Sequence, residues 1–202
     1  MSTNHRPRAV LFDMDGVLLD SVDSWLGVVN EVRVDFGFDP ITQAHLLTIF
    51  GQGVEDDAKN LYPGHPTAAI RRAYDDAMPR YVDRVRPGPD TREVLAALEQ
   101  AGIHRAVVTN TQHTLADAML EAAGLEGCFE RVAAAGGKER AKPHPDMLRR
   151  ALAHVDGPPS GAGMVGDTHY DEQAAVAAGV GYLHFDLRRG GRLRDALGAW
   201  LD

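Results

Sequence analysis

Short apolar runs that end in polar residues alternate with helical segments along most of the chain. Four runs stand out, the last of them weaker: residues 9–12, 106–108, 163–165 and 181–185. Short apolar runs bounded by turn residues are typical of buried strands. Helical patterns lie between and after them: residues 91–101, 114–123, 145–154 and 171–178. Because this alternation builds parallel βαβ units, the sequence predicts an α/β fold with a parallel sheet.

The stretch from residue 20 to residue 86 breaks this alternation. It shows no strand pattern, and its helical patterns are separated by turns rich in proline and glycine: residues 21–36, 43–49, 54–61 and 67–85. We therefore expect an all-helical cap, residues 20–86, inserted after the first strand and lying over the edge of the sheet. The core domain is predicted to consist of residues 1–19 and 87–202.

Charge and composition exclude several classes of partner. The formal charge of −8, from 21 basic and 29 acidic residues, argues against a nucleic-acid partner and requires any phosphate site to supply its own cation. Cys128 is the only cysteine, which rules out an internal disulfide. No segment approaches the roughly 18 apolar residues of a membrane span, and no signal peptide is recognisable. We expect a cytoplasmic protein without a membrane partner; the sequence carries no signal for an oligomeric state.

Two carboxylates follow the first predicted strand. Asp13 and Asp15 are two residues apart, and Gly16 comes next. Carboxylates this close can divide the work of catalysis, one acting as a nucleophile and the other transferring a proton. Gly16 allows the backbone to turn tightly beside a ligand. Taken alone, this pattern is explained equally well by a turn rich in aspartate and glycine.

A second pair of carboxylates follows the third predicted strand. Asp167 or Asp171 alone is explained as a residue at a helix N-terminus. Because the carboxyl ends of parallel strands meet at one edge of the sheet, these residues are expected to approach Asp13 and Asp15. Several carboxylates in one place repel each other unless a divalent cation lies among them, and hard oxygen ligands suit Mg²⁺.

Two further residues are candidates for binding phosphate. Thr109 ends the second predicted strand, where its hydroxyl and the following amides can hold phosphate oxygens. Lys142 is one of three lysines, and an ammonium suits a phosphate oxygen or a carboxylate. Each has a simpler explanation, since threonine is common in strands and lysine is common at surfaces.

Four segments together resemble a known family. In chain order they are LFDMDGVLLDS, VVTNT, AKPHPDML and MVGDTHYDEQAAVAAG. They are similar to the four motifs of the haloacid dehalogenase-like hydrolase superfamily, in the branch of phosphoglycolate phosphatases and β-phosphoglucomutases with a helical C1-type cap. The resemblance implies a Rossmann-like core with helices on both faces of its sheet. It also implies a Mg²⁺-dependent phosphatase that acts on a small phosphorylated metabolite.

The resemblance also implies a role for each motif residue in phosphoryl transfer. Asp13 is the nucleophile that forms an aspartyl-phosphate, and Asp15 is the general acid and base. Thr109 and the amide of Asn110 bind the phosphoryl group, and Lys142 pairs with Asp13 and with the phosphate.

The same resemblance implies a metal site. The side chain of Asp13, the backbone carbonyl of Asp15 and the side chain of Asp167 bind Mg²⁺, and Asp171 belongs to the surroundings of the metal. Asp15 also argues against dehalogenase and phosphonatase activity, because a leaving alcohol needs a proton and a halide does not.

Two other functions remain open from the sequence. A phosphosugar mutase of the β-phosphoglucomutase type needs cations in its cap, whereas residues 49–58, IFGQGVEDDA, contain three acids and no base. This favours hydrolysis. A regulatory module that accepts phosphate on Asp13 without turnover is the other alternative, and the presence of Asp15 and of a full cap argues against it.

Overall fold

The structure, a computed structural model, describes residues 6–201, and within that range its main feature is a five-stranded parallel sheet. Its strands are β1 (Ala9–Phe12), β4 (His104–Gln112), β5 (Arg131–Ala135), β6 (Ala162–Gly166) and β7 (Gly181–His184). Their order across the sheet is β5-β4-β1-β6-β7. The predicted α/β fold with a parallel sheet is therefore confirmed.

Strand β1 occupies the centre of the sheet, and all four of its residues are buried. Val10 and Phe12 belong to one apolar cluster, whereas Ala9 and Leu11 belong to another. Because successive side chains of a strand point to opposite faces, the two clusters lie on the two sides of the sheet. A strand buried on both faces has to be apolar throughout, which is why this run was visible in the sequence.

Five helices cover the two faces of this sheet: α5 (Thr91–Gln100), α6 (His113–Ala122), α7 (Asp146–Leu152), α8 (His169–Ala178) and α9 (Leu193–Leu201). Helices α5, α6 and α9 contribute residues to the cluster of Val10 and Phe12. Helices α7 and α8 contribute to the cluster of Ala9 and Leu11. The core is thus a three-layer arrangement with helices on both faces, as the resemblance implies.

Two of these elements do not follow from the sequence patterns described above. Strand β5 has the sequence RVAAA, in which alanine and arginine have little preference for strands. It forms because it pairs in parallel with β4 along the edge of the sheet. Helix α9 places Leu193, Leu197 and Trp200 in the core, at a spacing that fits one helix face. The indole of Trp200 packs over Gly163, where a Cβ atom would lie 2.2 Å from the ring.

Residues 20–86, which we call the cap segment, are helical in the structure. The α-helices are α1 (Val22–Asp35), α2 (Gln43–Ile49), α3 (Val54–Leu61) and α4 (Thr67–Ala77). The prediction of one helix over residues 67–85 was wrong, because α4 ends at Ala77 and two 3-10 turns follow. Pro79 explains the break, since proline has no N–H to donate and its ring clashes with the preceding helical turn.

The cap segment begins and ends at a short antiparallel pair. Strand β2 (Leu19–Asp20) lies beside β3 (Arg86–Pro87), with Leu19 opposite Pro87 and Asp20 opposite Arg86. The prediction that residues 20–86 contain no strand was therefore not quite correct, because Asp20 and Arg86 are paired at the two ends of this segment. The division into core and cap domains stays a prediction. No helix within residues 6–201 is long and apolar enough to cross a membrane.

Candidate active site

The candidate site lies at the carboxyl ends of the two central strands. Asp13 directly follows β1, Asp167 directly follows β6, and the N–H of Asp13 donates to Val165 O at 2.9 Å. From β1 the chain continues towards β4, and from β6 it continues towards β7 on the opposite side. The crevice between two such strands is the usual ligand site of open α/β sheets. The fold therefore brings both carboxylates to this crevice.

Lys142 joins the two aspartate motifs from a third segment. Its Nζ lies 2.7 Å from Asp13 Oδ1 and 2.6 Å from Asp171 Oδ1, and it donates to Val108 O at 3.0 Å. An ammonium has three donors, and all three are engaged. Lys142 thus holds the nucleophile candidate in place. Its direct contact with a phosphate stays a prediction.

Asp171 is buried and uses both of its carboxylate oxygens. Oδ1 accepts from Lys142, while Oδ2 accepts from the Thr168 N–H at 3.0 Å and the Thr168 hydroxyl at 2.6 Å. These contacts fix the first turn of α8 and orient Lys142. The structure thus places Asp171 beside the carboxylates of Asp13 and Asp167, in agreement with a role in the surroundings of a metal.

Buried carboxylates in close proximity determine the electrostatics of the site. Burial raises the pKa of Asp13 well above its ordinary value, and the charge of Asp171 adds to this rise while Lys142 opposes it. Burial and Asp171 together raise the pKa of Asp167 to about 7, against the opposing effect of Arg188. Burial lowers the pKa of Lys142, but Asp13 and Asp171 outweigh it, so that pKa lies above its ordinary value. Lys142 and Arg188, of which Arg188 also pairs with Asp186, do not balance the three carboxylates.

The donor set fits a small divalent cation. Asp13, Asp167 and Asp171 each present a carboxylate oxygen, and these atoms lie within 4.8 Å of one another. Asp167 Oδ1 is buried and has no hydrogen-bond partner among the described residues. A buried polar atom without a partner is rare and calls for a ligand. Hard carboxylate oxygens suit Mg²⁺, and a bound cation would keep these groups ionised.

Gly16 lets the first motif approach Asp167. Its φ of +84° lies in the left-handed region, and a Cβ atom at this position would lie 2.5 Å from Asp167 Oδ2. Any other residue would be strained and would also push the carboxylate away. The glycine that the sequence places after Asp15 is therefore required by the close contact of the two motifs.

Asp15 accepts three hydrogen bonds from two different segments of the chain. The hydroxyl of Ser21 lies 2.5 Å and the indole N–H of Trp25 lies 2.9 Å from Oδ1. The hydroxyl of Thr111 lies 2.8 Å from Oδ2. Ser21 and Trp25 come from the beginning of the cap segment, so the cap and the core together orient this carboxylate. The geometry gives Asp15 a fixed position beside Asp13 rather than a place in a free turn.

Thr109 and Asn110 lie in an irregular part of β4. The predicted strand ends at residue 108, whereas β4 continues to Gln112, and its register with β5 shifts between Thr109 and Gln112. Such irregularities often occur beside active sites, where they redirect side chains. Thr109 Oγ1 accepts from the N–H of Thr111 at 3.0 Å.

Asn110 connects three parts of the site. Its Oδ1 accepts from the Lys142 N–H at 2.7 Å, and its Nδ2 donates to Lys142 O at 3.1 Å and to Gly51 O at 2.9 Å. This side chain therefore holds the Lys142 segment against β4 and also contacts the cap segment. From the sequence, only the backbone amide of Asn110 was expected to take part in the site, as a donor to the phosphoryl group.

A cleft lies between the cap segment and this edge of the sheet. On the core side it is lined by the polar residues of the first two motifs: Asp13, Asp15, Thr109, Asn110, Thr111 and Gln112. On the cap side it is lined mainly by apolar and aromatic residues: Trp25, Val29, Leu46, Ile49, Phe50, Val54 and Tyr74. A small molecule in this cleft would therefore contact Asp13 and Asp15 at one end and the cap at the other.

Sequence patterns did not identify several residues of the site. Arg188 donates to Asp167 Oδ2 at 2.6 Å and lies over the ring of Phe50, with its Cζ 5.1 Å from the ring centroid. It is one of many arginines and follows β7 without any motif, so no signal distinguishes it. Ser21 and Thr111, by contrast, are the last residues of the quoted segments LFDMDGVLLDS and VVTNT.

Comparisons with known proteins agree with this geometry. Residues 10–185 match the family model described as haloacid dehalogenase-like hydrolase. The chain belongs to this family. It is 34% identical over 184 residues to the phosphoglycolate phosphatase of Xylella fastidiosa, covering 89% of this chain and 80% of that protein. It is 26% identical over 191 residues to the N-acetylmuramic acid 6-phosphate phosphatase of Pseudomonas aeruginosa, covering 89% and 84%.

The structure of CbbY from Rhodobacter sphaeroides, solved with phosphate, is also similar. It superposes with a TM-score of 0.77 at 27% identity, covering 89% of this chain and 86% of that one. The predicted family, the Rossmann-like core and the assignment to the phosphatase class of hydrolases are therefore confirmed. The role of each site residue and the dependence on Mg²⁺ stay predictions.

Proposed function

We propose that the protein is a Mg²⁺-dependent phosphatase that hydrolyses a small phosphomonoester through an aspartyl-phosphate on Asp13. The observation that carries this proposal is the contact of Asp13 Oδ1 with Lys142 Nζ at 2.7 Å and with the Met14 N–H at 2.7 Å. Both contacts use Oδ1. The other oxygen, Oδ2, has no hydrogen bond to the described residues and is the atom that attacks phosphorus.

The proposed chemistry has two steps. In the first, Asp13 Oδ2 forms a bond to phosphorus, the ester oxygen leaves with its bonding electrons, and Asp15 gives that oxygen a proton. In the second, Asp15 takes a proton from water, the water oxygen attacks phosphorus, and the bond to Asp13 breaks to release phosphate. An acid and base that acts in both directions has to stay in place, which the three donors to Asp15 achieve.

The metal would be held by Asp13, Asp167 and the backbone carbonyl of Asp15, with Asp171 alongside. When bound, Mg²⁺ supplies positive charge for the phosphate oxygens and keeps the carboxylates ionised. Lys142 adds a fixed positive charge at Asp13, and Thr109 and Asn110 offer a hydroxyl and amides to the phosphoryl group. The apolar cap side of the cleft excludes water from the first step.

The substrate is proposed to be a small phosphorylated metabolite. The relatives named above are a phosphoglycolate phosphatase and an N-acetylmuramic acid 6-phosphate phosphatase, and a crystal structure of CbbY contains xylulose-(1,5)bisphosphate. These names support a small phosphate ester but differ in the alcohol. The cap segment as a separate domain and the cytoplasmic location also remain part of this proposal.

The test is the variant Asp13→Asn, because an amide cannot attack phosphorus. Phosphate release from p-nitrophenyl phosphate in Mg²⁺ should fall by about 10³-fold or more. Quenched wild-type enzyme should carry the mass of one phosphoryl group on the peptide that contains Asp13, and the variant should not. Asp156→Asn, which changes an exposed aspartate outside the cleft, is the control and should keep full activity. Activity of Asp13→Asn within about tenfold of wild type would contradict the proposal.

A further inference from the structure

The cap side of the cleft contains one charged side chain, and it is an acid. Asp57 of helix α3 lines the cleft together with apolar and aromatic residues of α1, α2 and α4. Within residues 6–201, the side chains that line the cleft include no lysine, arginine or histidine. An anionic group on the leaving alcohol would therefore meet a carboxylate and apolar walls, and no cation.

The basic residues nearest to the cleft are already paired. Arg71 reaches the rim, where it donates to Gln112 Oε1 at 3.2 Å and to Glu55 Oε1 at 2.8 Å. Arg188 pairs with Asp167, and all three donors of Lys142 are engaged at the catalytic end. Binding a second anion would require one of these pairs to break.

Asp57 is held in place and keeps free acceptor positions. Gln52 Nε2 donates to Oδ1 at 2.6 Å, and the hydroxyl of Tyr74 donates to Oδ2 at 3.2 Å. A carboxylate accepts about four hydrogen bonds, so two donors leave room for two more. Tyr74 is itself buried, with 1% of its surface exposed, which fixes the carboxylate at the cleft wall. A half-buried acceptor of this kind selects a ligand that brings a donor to it.

We infer that the alcohol released by this enzyme carries a hydroxyl or ammonium group that donates to Asp57, and carries neither a carboxylate nor a second phosphate. This inference rests on the function proposed above and specifies its substrate class. The body of the alcohol is apolar enough to lie against Trp25, Phe50 and Val54. Phosphoglycolate, whose leaving group ends in a carboxylate, does not meet this description.

The test uses alkyl monophosphates of matched chain length that end in a methyl, a hydroxyl, an ammonium or a carboxylate group. The kcat/KM for phosphate release is measured with the wild-type enzyme in Mg²⁺ at about pH 8.5, where Asp57 is ionised, over a series of chain lengths. At the best length, the hydroxyl or ammonium ester should exceed both the carboxylate and the methyl ester by at least about tenfold. Which of the two is better identifies the natural donor.

The variant Asp57→Asn removes the charge with little change of shape. The preference for the hydroxyl over the carboxylate ester should then fall to about threefold or less, because the repulsion is gone. Asp56→Asn removes the same charge from the neighbouring exposed residue and should keep the wild-type preference. The ratio of two substrates is the readout, so a general loss of activity in a variant does not affect the conclusion.

Two results would overturn the inference and can be told apart. If p-nitrophenyl phosphate is hydrolysed but the carboxylate or methyl ester is as good a substrate as the others, only the inference fails. If no ester, including p-nitrophenyl phosphate, releases phosphate, the proposed function fails and the inference fails with it.

Discussion

The ammonium of Lys142 lies 2.6 Å from Asp171 Oδ1, and both side chains are excluded from solvent, with 2% and 0% of their surfaces exposed. The same ammonium contacts Asp13, so one cation serves two buried carboxylates. Removing one partner of a buried ion pair leaves charge that water cannot reach. The stability of the metal-free protein should therefore depend on this lysine.

Lys142→Gln is expected to lower the free energy of unfolding by about 3–5 kcal/mol in excess chelator near neutral pH. The measurement is urea denaturation followed by circular dichroism. Lys138→Gln, at an exposed lysine of the same segment, should change stability by no more than about 0.5 kcal/mol. A loss below about 1 kcal/mol in Lys142→Gln would show that the two carboxylates do not need its charge.

Magnesium should stabilise the folded protein through Asp167. A ligand present at about 100 times its Kd adds about 2.7 kcal/mol, which for a chain of this size raises Tm by about 5 °C or more. Asp167→Asn should lose most of this rise, whereas Asp156→Asn should keep it. Calcium should raise Tm without restoring activity, since its longer bonds and larger coordination number alter the geometry. An equal rise in wild type and Asp167→Asn would place the metal elsewhere.

Asp15→Asn should affect esters according to their leaving groups. An alkoxide leaves poorly unless it is protonated, whereas nitrophenolate leaves readily without help. We expect kcat to fall by about 10²-fold or more for an alkyl phosphate, and by clearly less for p-nitrophenyl phosphate. The comparison requires steady-state kinetics of both substrates with both proteins. Equal losses would leave a leaving-group role for Asp15 without support.

The acid in the cap segment should make stability depend on pH. Burial raises the pKa of Asp57 to about 7, against the lowering effect of Gln52 and Tyr74, and Asp56 and Glu55 add small further rises. Because the folded-state pKa exceeds the ordinary value of 3.8, the stability due to the bound proton is full below pH 4 and is lost as the pH rises through 7.

Asp57→Asn removes this dependence. Its unfolding free energy should match that of wild type at pH 4 and exceed it by about 1–3 kcal/mol at pH 8. Other groups that titrate in this range are common to both proteins and cancel in the difference. Asp56→Asn removes only a small contribution to the raised pKa of Asp57, so its difference from wild type should change by no more than about 0.5 kcal/mol between the two pH values. A difference between Asp57→Asn and wild type that stays constant with pH would mean that Asp57 ionises as freely as an exposed acid.

The protein should hydrolyse its substrate and should not isomerise a phosphosugar. A mutase has to hold the second phosphate of a bisphosphate. Two arginines of the cap segment are engaged elsewhere, since Arg80 pairs with Glu31 and Arg84 stacks on Tyr81 with its Cζ 4.6 Å from the ring centroid. A third, Arg71 at the rim of the cleft, pairs with Glu55. Incubation with β-glucose 1-phosphate, Mg²⁺ and a trace of glucose 1,6-bisphosphate should yield inorganic phosphate or no product. Glucose 6-phosphate appearing faster than phosphate would reverse this conclusion.

The sequence predicts those parts of the fold in which a local pattern of residues determines the secondary structure. Strand β1 is buried on both faces and is therefore apolar at every position, and Asp13 follows it at the sheet edge. Strand β5 has no such pattern, because its alanines become a strand only through pairing with β4. The strand propensity of the residues is a weak guide where a neighbouring strand stabilises the segment by pairing with it. The prediction of one long helix over residues 67–85 was wrong because Pro79 cannot continue an α-helix.

The same distinction holds for the site. Asp13, Asp15, Asp167 and Lys142 stand in ordered motifs, and their convergence follows from the topology of a parallel sheet. Asp57 lines the cleft and Arg188 contacts Asp167 only because of how the chain folds, and neither stands in a motif. In the sequence VEDDAKNL, Asp57 is one of three acids in the first turn of a helix, and nothing distinguishes it from the other two. Only the folded chain shows that Asp57, and not Asp56, lines the cleft.

The pairing of Leu19 with Pro87 and of Asp20 with Arg86 has a consequence for how such a protein can change over time. The chain leaves the core and returns to it at these two neighbouring strands, so the segment inserted between them begins and ends at almost the same point. Insertions with adjacent ends are well tolerated by a host fold. A foreign segment grafted between residues 20 and 86 would leave β1 and the sheet unchanged. Selectivity can thus be exchanged by replacing this segment, provided that the incoming segment again supplies the donors that Ser21 and Trp25 give to Asp15.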